Sequence, residues 1–223
     1  MRRAALGWCG WAALGAAGCA TPNVYTSART LPRGQTQWSV FTETSSTGTA
    51  HYPTLDVMFR VGLGARTELG LRGGGGPIGV DLKVGLLRGG LDLALIPAVH
   101  VSPFIVRGPQ SVVVASYLPL LAGINLSRRV TLLAHVAPFY ARRLGVPVGS
   151  LPCEDCLPEG AGLALGLGVR VLVAERVALH PAVAVMRSFV WPSTAALAGA
   201  ERGWLSFGLA VSFVGQPDTS DLP

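Results

Sequence analysis

Three sets of residues have types and spacings that could do chemistry. Cys153 and Cys156 stand in CEDC, within SLPCEDCLPEG at 150–160. Two thiolates at this spacing can begin a zinc site, but tetrahedral closure needs two more ligands, and no second such pair exists. His51 is the one obvious partner from another connection. A small disulfide-closed loop suits the pair better, with redox and metal use as the alternatives. His100 and Ser102 form the second set. They are the nearest candidates for the His and Ser that a surface enzyme would use near an outer rim, but a spacing of two proves nothing by itself. The third set is ionic: Asp56, Arg60, Glu68, Arg72, Asp81, Lys83, Asp92 and Arg170. In IGVDLKVGLL (Ile78–Leu87), Ile78, Val80, Leu82, Val84 and Leu86 alternate with Gly79, Asp81, Lys83 and Gly85. One face of such a strand is oily, and the other holds a carboxylate beside an ammonium. The mixed signs suit an ion-pair network filling a narrow interior; a conducting or ligand-binding lumen and a catalytic site are the alternatives. His100 and His180 fall on the same inner face by the same count. The glycine run 73–76 lacks the Gly-Lys-Ser/Thr that a phosphate cradle needs, so it reads as a flexible loop. No catalytic residue, metal or cofactor is assigned.

The elements that must carry these charges follow from the same alternation. The clearest segments are 52–61, 78–87, 164–173 and 204–213; weaker ones are 35–45, 67–72, 91–101, 111–123, 130–142 and 177–187. That makes about ten strands. The connections 62–66, 88–90, 125–129 and 174–176 are tight and polar, whereas 46–51, 73–77, 102–110, 143–160 and 191–201 are mostly longer. Short and long alternate along the chain. Half of the residues are hydrophobic and 13% are charged, yet aromatics make only 7%, a balance that suits a chain solvated partly by lipid. Past the first two dozen residues the longest uncharged apolar run is 112–124, too short to cross about 30 Å of hydrocarbon as a helix. Strands closed into a barrel are the other way to satisfy every backbone group in lipid.

The N-terminus, MRRAALGWCGWAALGAAGC, has Arg2 and Arg3, an apolar stretch 4–17 and small residues up to Cys19. That order is the layout of a secretory signal. Ala16, Ala17, Gly18 and Cys19 resemble a bacterial lipobox, although Leu14 sits five residues before the cysteine where the family prefers three. The resemblance implies that Cys19 becomes the lipidated first residue, and Ala20 behind it favours the outer membrane. A plain cleaved signal and an uncleaved anchor are the alternatives. The expected division is a signal at 1–18, a lipidated tether at 19–34, a barrel at 35–213 and a tail at 214–223. The formal net charge of +6 does not point to nucleic acid. Arg66, Arg88, Arg128, Arg129 and Arg176 gather at the short turns, and Arg107, Arg142, Arg143 and Arg202 flank the long ones, where lipid phosphates are the natural partners.

The signal and lipobox, FRVGLGARTELGLR at 59–72 and the IGVDLKVGLL that follows look like the early hairpins of bacterial outer-membrane β-barrel proteins, some of them lipid-anchored. The resemblance implies an all-β, antiparallel up-and-down transmembrane barrel with both termini in the periplasm, the short turns on that side and outer-membrane lipid as partner. Such barrels share geometry more than residues and host channels, enzymes, adhesins and assembly factors alike; a structural or small-pore protein, not an enzyme, is the expectation. A surface enzyme of lipid-modifying or protease type and a soluble lipid-anchored all-β binding protein are the alternatives. The oligomeric state is not implied. Two features depart from the pattern: Phe213 is followed by ten more residues, and Pro97, Pro119, Pro138 and Pro181 fall inside expected strands. Each proline removes a ladder donor, so the strands bulge there or the sheet is open.

Overall fold

The computed structural model describes residues 23–47, 50–104, 111–144, 160–189 and 203–215. The strand segments are β1 (Thr36–Thr47), β2 (Ala50–Gly62), β3 (Thr67–Gly74), β4 (Ile78–Leu87), β5 (Leu91–Leu95), β6 (Ala98–Phe104), β7 (Ser111–Tyr117), β8 (Leu120–Asn125), β9 (Val130–Leu144), β10 (Gly160–Ala174), β11 (Val177–Ser188) and β12 (Gly203–Val214). All pairings are antiparallel. β1 pairs with both β2 and β12, and β9 continues into β10, so the ladder returns to its start. β5 and β6 both pair with β4 and are one staff interrupted at Pro97; β7 and β8 both pair with β9 and are one staff interrupted at Pro119. The result, among the described residues, is an all-β, closed up-and-down barrel of ten staves.

Closure answers the question raised by the prolines. Each missing donor is local, while the carbonyls of Pro97, Pro119 and Pro138 still work in the ladder. Leu82 N–H donates to Pro97 O at 3.0 Å, Ile96 N–H to Pro119 O at 2.8 Å, and Leu118 N–H to Pro138 O at 3.0 Å. Pro181 stays within β11, opposite Leu209. The alternation dictates the two faces. In β12, Leu205, Phe207, Leu209 and Phe213 point outward and are exposed, while Trp204, Ser206, Ala210 and Ser212 are buried. Around the barrel Leu55, Ile78, Leu167 and Phe207 are each more than half exposed. An exterior this apolar and this continuous requires an apolar solvent. Among the described residues no helix is long and apolar enough to cross a membrane.

Two connections differ from the sequence reading. β1 and β2 pair as far as Thr47 and Ala50, so the segment 46–51 is a hairpin end and not a long loop. β3 runs to Gly74 and β4 begins at Ile78, which shortens 73–77 to three residues. Serine, threonine and glycine continued the ladder there without apolar side chains, so a count of hydrophobic alternation ends too early. Cys19, Cys153, Cys156, Arg107 and Arg202 lie outside the described residues, as do the signal segment and 216–223. Residues 23–31, within the segment expected as a tether, lie inside the barrel, with Asn23, Tyr25, Thr26, Ala28, Thr30 and Leu31 all buried, and Arg33 and Gly34 are exposed at its rim.

Candidate functional site

The lumen is built in rows set by strand register. Glu68 stands opposite Lys83, and their side chains meet at 2.8 Å. One row over, Arg60, Gly70 and Asp81 align across β2, β3 and β4. Gly70 is required at the centre, because a Cβ there would collide with both the Asp81 carboxylate and the Arg60 guanidinium. Across that gap Arg60 Nη1 donates to Asp81 Oδ2 at 3.0 Å, and its Nε donates to Glu68 Oε1. Arg72 reaches Asp56 at 2.7 Å and lies 4.5 Å over the Phe41 ring. Asp56 also accepts from Gly76 N–H at 2.8 Å. Asp92, near the short-turn end, accepts from Asn125 Nδ2 at 2.9 Å and meets Arg29 at 3.4 Å. Arg170 occupies an inward position of β10 and is half-buried.

Residues 23–34 complete this network from the barrel axis. Glu68 Oε2 accepts from Leu31 N–H at 2.9 Å. Lys83 Nζ donates to Thr26 Oγ1 at 3.0 Å and to the carbonyls of Ser27 and Arg29 at 3.0 and 3.2 Å. Tyr25 donates to Glu43 Oε2 at 3.2 Å and packs on Phe41 with ring centroids 4.7 Å apart. Glu43 also accepts from the Ser206 hydroxyl, which in turn receives Asn23 Nδ2 at 2.9 Å. Two wall glycines admit the segment: a Cβ on Gly208 would occupy the place of the Tyr25 hydroxyl, and one on Gly62 would strike the Pro32 carbonyl. Ala28 packs with Ile96, Leu121 and Leu133. The chain therefore descends through the lumen, turns at Gly34 (φ +79°) beside Gly62 and enters β1. We call residues 23–34 the plug.

The remaining sequence candidates separate. His100 and Ser102 both face inward on β6, and Ser102 is buried. His100 stacks on Tyr117 at 5.0 Å rather than reaching toward the serine, and its ring lies where a Cβ on Gly79 would sit. His180 is buried with neither ring nitrogen hydrogen-bonded among the described residues. No group of three metal-ligating side chains is found among the described residues. The sequence reading missed Tyr25, Thr26, Glu43, Gly62 and Gly208. Nothing in the alternation marks the polar stretch 23–30 as buried; the small residues paving the inner wall were the only signal. It also missed that the outer half of the lumen, toward the long connections, is apolar. There Val113, Ala115, Phe139, Ala141, Met186 and Trp204 form a buried cluster.

No protein-family model matches the chain, and no curated relative matches it. Among solved structures, an outer membrane channel from Pseudomonas putida F1 is similar with a TM-score of 0.48 and 10% identity, over 86% of this chain and 100% of that one. Neisserial surface protein A is similar with a TM-score of 0.42 and 9% identity, over 80% of this chain and 95% of that one. The outer membrane enzyme PagL is similar with a TM-score of 0.39 and 10% identity, over 78% of this chain and 98% of that one. Likenesses this loose carry no argument about activity.

Proposed function

We propose that the protein is a non-catalytic outer-membrane β-barrel lipoprotein of structural or small-pore type, held closed by its own plug. The observation that carries this reading is the plug itself: the charges that could line a pore are spent on residues 23–34. Lys83 directs three hydrogen bonds to the plug, and Glu68 accepts one from it. The apolar exterior argues for lipid, because Leu82 and its outward neighbours have no protein to pack on. Thr36 and Val214, which begin β1 and end β12, lie at the end of the barrel that carries the short turns. That end is the periplasmic one in this reading, with outer-membrane lipid as partner and no nucleic acid. Cys19 is its lipid anchor, and Cys153 and Cys156 are a disulfide in the longest outer connection. Planar-bilayer recording tests the closed state. The full chain is expected to give no steady current, and the double substitution of Tyr25→Ala with Lys83→Ala, which removes the plug's bonds to Glu43 and to Lys83, is expected to open discrete steps. Steady conductance of the unaltered chain would refute the closed reading. Mass spectrometry of the mature N-terminus tests Cys19, where a free amino group at another residue counts against the anchor.

A further inference from the structure

Pro97, Pro119 and Pro138 fall on one line across the wall. Leu95 pairs with Leu120 and Ala98 with Tyr117, which sets Pro97 beside Leu118. Leu120 pairs with Val136 and Tyr117 with Phe139, which sets Leu118 beside Pro138. Three consecutive staves thus lose a ladder donor at one level, in a closed sheet that has no edge to hide them on. Two hollows lie back to back across this line. On the inner side is a cavity of about 60 Å³, walled by Ile96, Ala98, Pro119 and Ala137 and floored by plug residues Val24 and Tyr25. On the outer side is an apolar groove of about 560 Å³ along Leu120, Ala122, Ala134, Val136, Leu165 and Leu167. The groove exists because Ala122 stands opposite Ala134 among larger neighbours. Chain neighbours divide the two: Pro119 lines the cavity and Leu120 the groove, Ala137 the cavity and Val136 the groove.

The polar end of the cavity has spare donors. Arg72, Asp81 and His100 line it. Arg72 uses Nη2 on Asp56, but its Nε has no partner among the described residues, and neither does His100 Nδ1. Both atoms are buried; Arg72 Nε–H is a donor, His100 Nδ1 is one in its Nδ1–H tautomer, and a buried donor without an acceptor is costly. A carboxylate accepts from two such donors at once.

We propose that this wall segment is a lateral site for a single-chain anionic amphiphile, a long-chain carboxylate. Its chain lies in the outer groove, and its head reaches Arg72 and His100 when the ladder bonds at the proline line, Ile96 N–H to Pro119 O and Leu118 N–H to Pro138 O, part. A two-chain phospholipid is too bulky for a cavity of about 60 Å³, whereas one carboxylate is not. The site rests on the membrane reading of the barrel and adds a ligand that enters from the side, past the plug rather than through it.

The test uses the full chain in phosphatidylcholine vesicles and stearate spin-labelled near its methyl end, read by electron paramagnetic resonance. The expected result is an immobilised component that saturates at about one per barrel and falls at least tenfold for the methyl ester. Ala134→Leu, which fills the groove, and the pair Pro97→Ala with Pro119→Ala, which restores two ladder donors, are each expected to reduce it about tenfold. Arg72→Gln is expected to do the same; where that variant fails to fold, the methyl ester carries the test of the head site. An immobilised component that never saturates, or that is equal for acid, ester and Ala134→Leu, is ordinary boundary lipid and overturns the proposal alone. A chain that stays out of vesicles overturns the membrane reading and this site with it.

Discussion

On β2 to β5 the inner face carries Asp56, Arg60, Glu68, Arg72, Asp81, Lys83 and Asp92, whereas in the outer half of β7 to β12 it carries Val113, Ala115, Phe139, Ala141, Met186 and Trp204. The apolar wall satisfies itself by packing across the lumen. The charged wall does not. Its rows leave lone pairs and ammonium protons that strand partners cannot reach, and these are completed by the backbone and hydroxyls of the plug. The difference teaches where water would go if the plug left: along the ionic rows of β2 to β4, whose charged groups gain from hydration, and not along the apolar cluster, which would lose. It also explains why the plug is polar at Asn23, Thr26 and Thr30 yet buried. The segment is the missing half of an ionic network, not a strand of the core.

Four substitutions probe this contrast, in order of expected effect. Glu68→Gln removes the negative charge that Arg60, Lys83 and the Leu31 amide share, leaving Arg60 to Asp81, and Lys83 without a carboxylate partner among the described residues. Leaving buried cations uncompensated costs about 3–5 kcal/mol, read as a lower urea midpoint for the heat-modifiable band on a gel. A loss under about 1 kcal/mol would mean that water already wets these charges, since exposed pairs contribute only that much, and the contrast between the walls would dissolve.

Leu82→Arg puts a charge on the outer face of β4, one residue from Lys83, and is expected to cost about 2–4 kcal/mol near the bilayer midplane. Assembly into membranes is the measurement. If Leu82→Arg assembles as well as the unaltered chain, the outward face of β4 does not meet lipid.

The smallest effects come from a matched pair. Val113→Thr keeps shape but buries a hydroxyl in the apolar cluster and is expected to cost about 1–3 kcal/mol. Asp81→Asn keeps an acceptor for Arg60 at a partly exposed position and is expected to cost about 1 kcal/mol. Unfolding midpoints in one detergent compare them. A larger loss for Asp81→Asn would reverse the ranking of the two walls at their weaker points.

Alternation with a period of two is a local property, and it determined which face of each staff meets the outside and how many staves there are. The segment Ile78–Leu87 in β4 is the plainest case: Ile78, Val80 and Leu82 are exposed, and Lys83 is buried. The prolines were legible as defects but not as a line, because that needs the register of three neighbouring staves. The plug was not legible at all. Its contacts join Asn23 to Ser206 across 183 positions and Lys83 to Thr26 across 57, and no repeat in the chain relates such residues. A polar stretch such as 23–30 reads as solvated until closure brings charged rows around it. Closure decided it, by turning inward faces that are each only half-satisfied into one enclosed space, where a buried donor or acceptor gains most from a partner within the barrel.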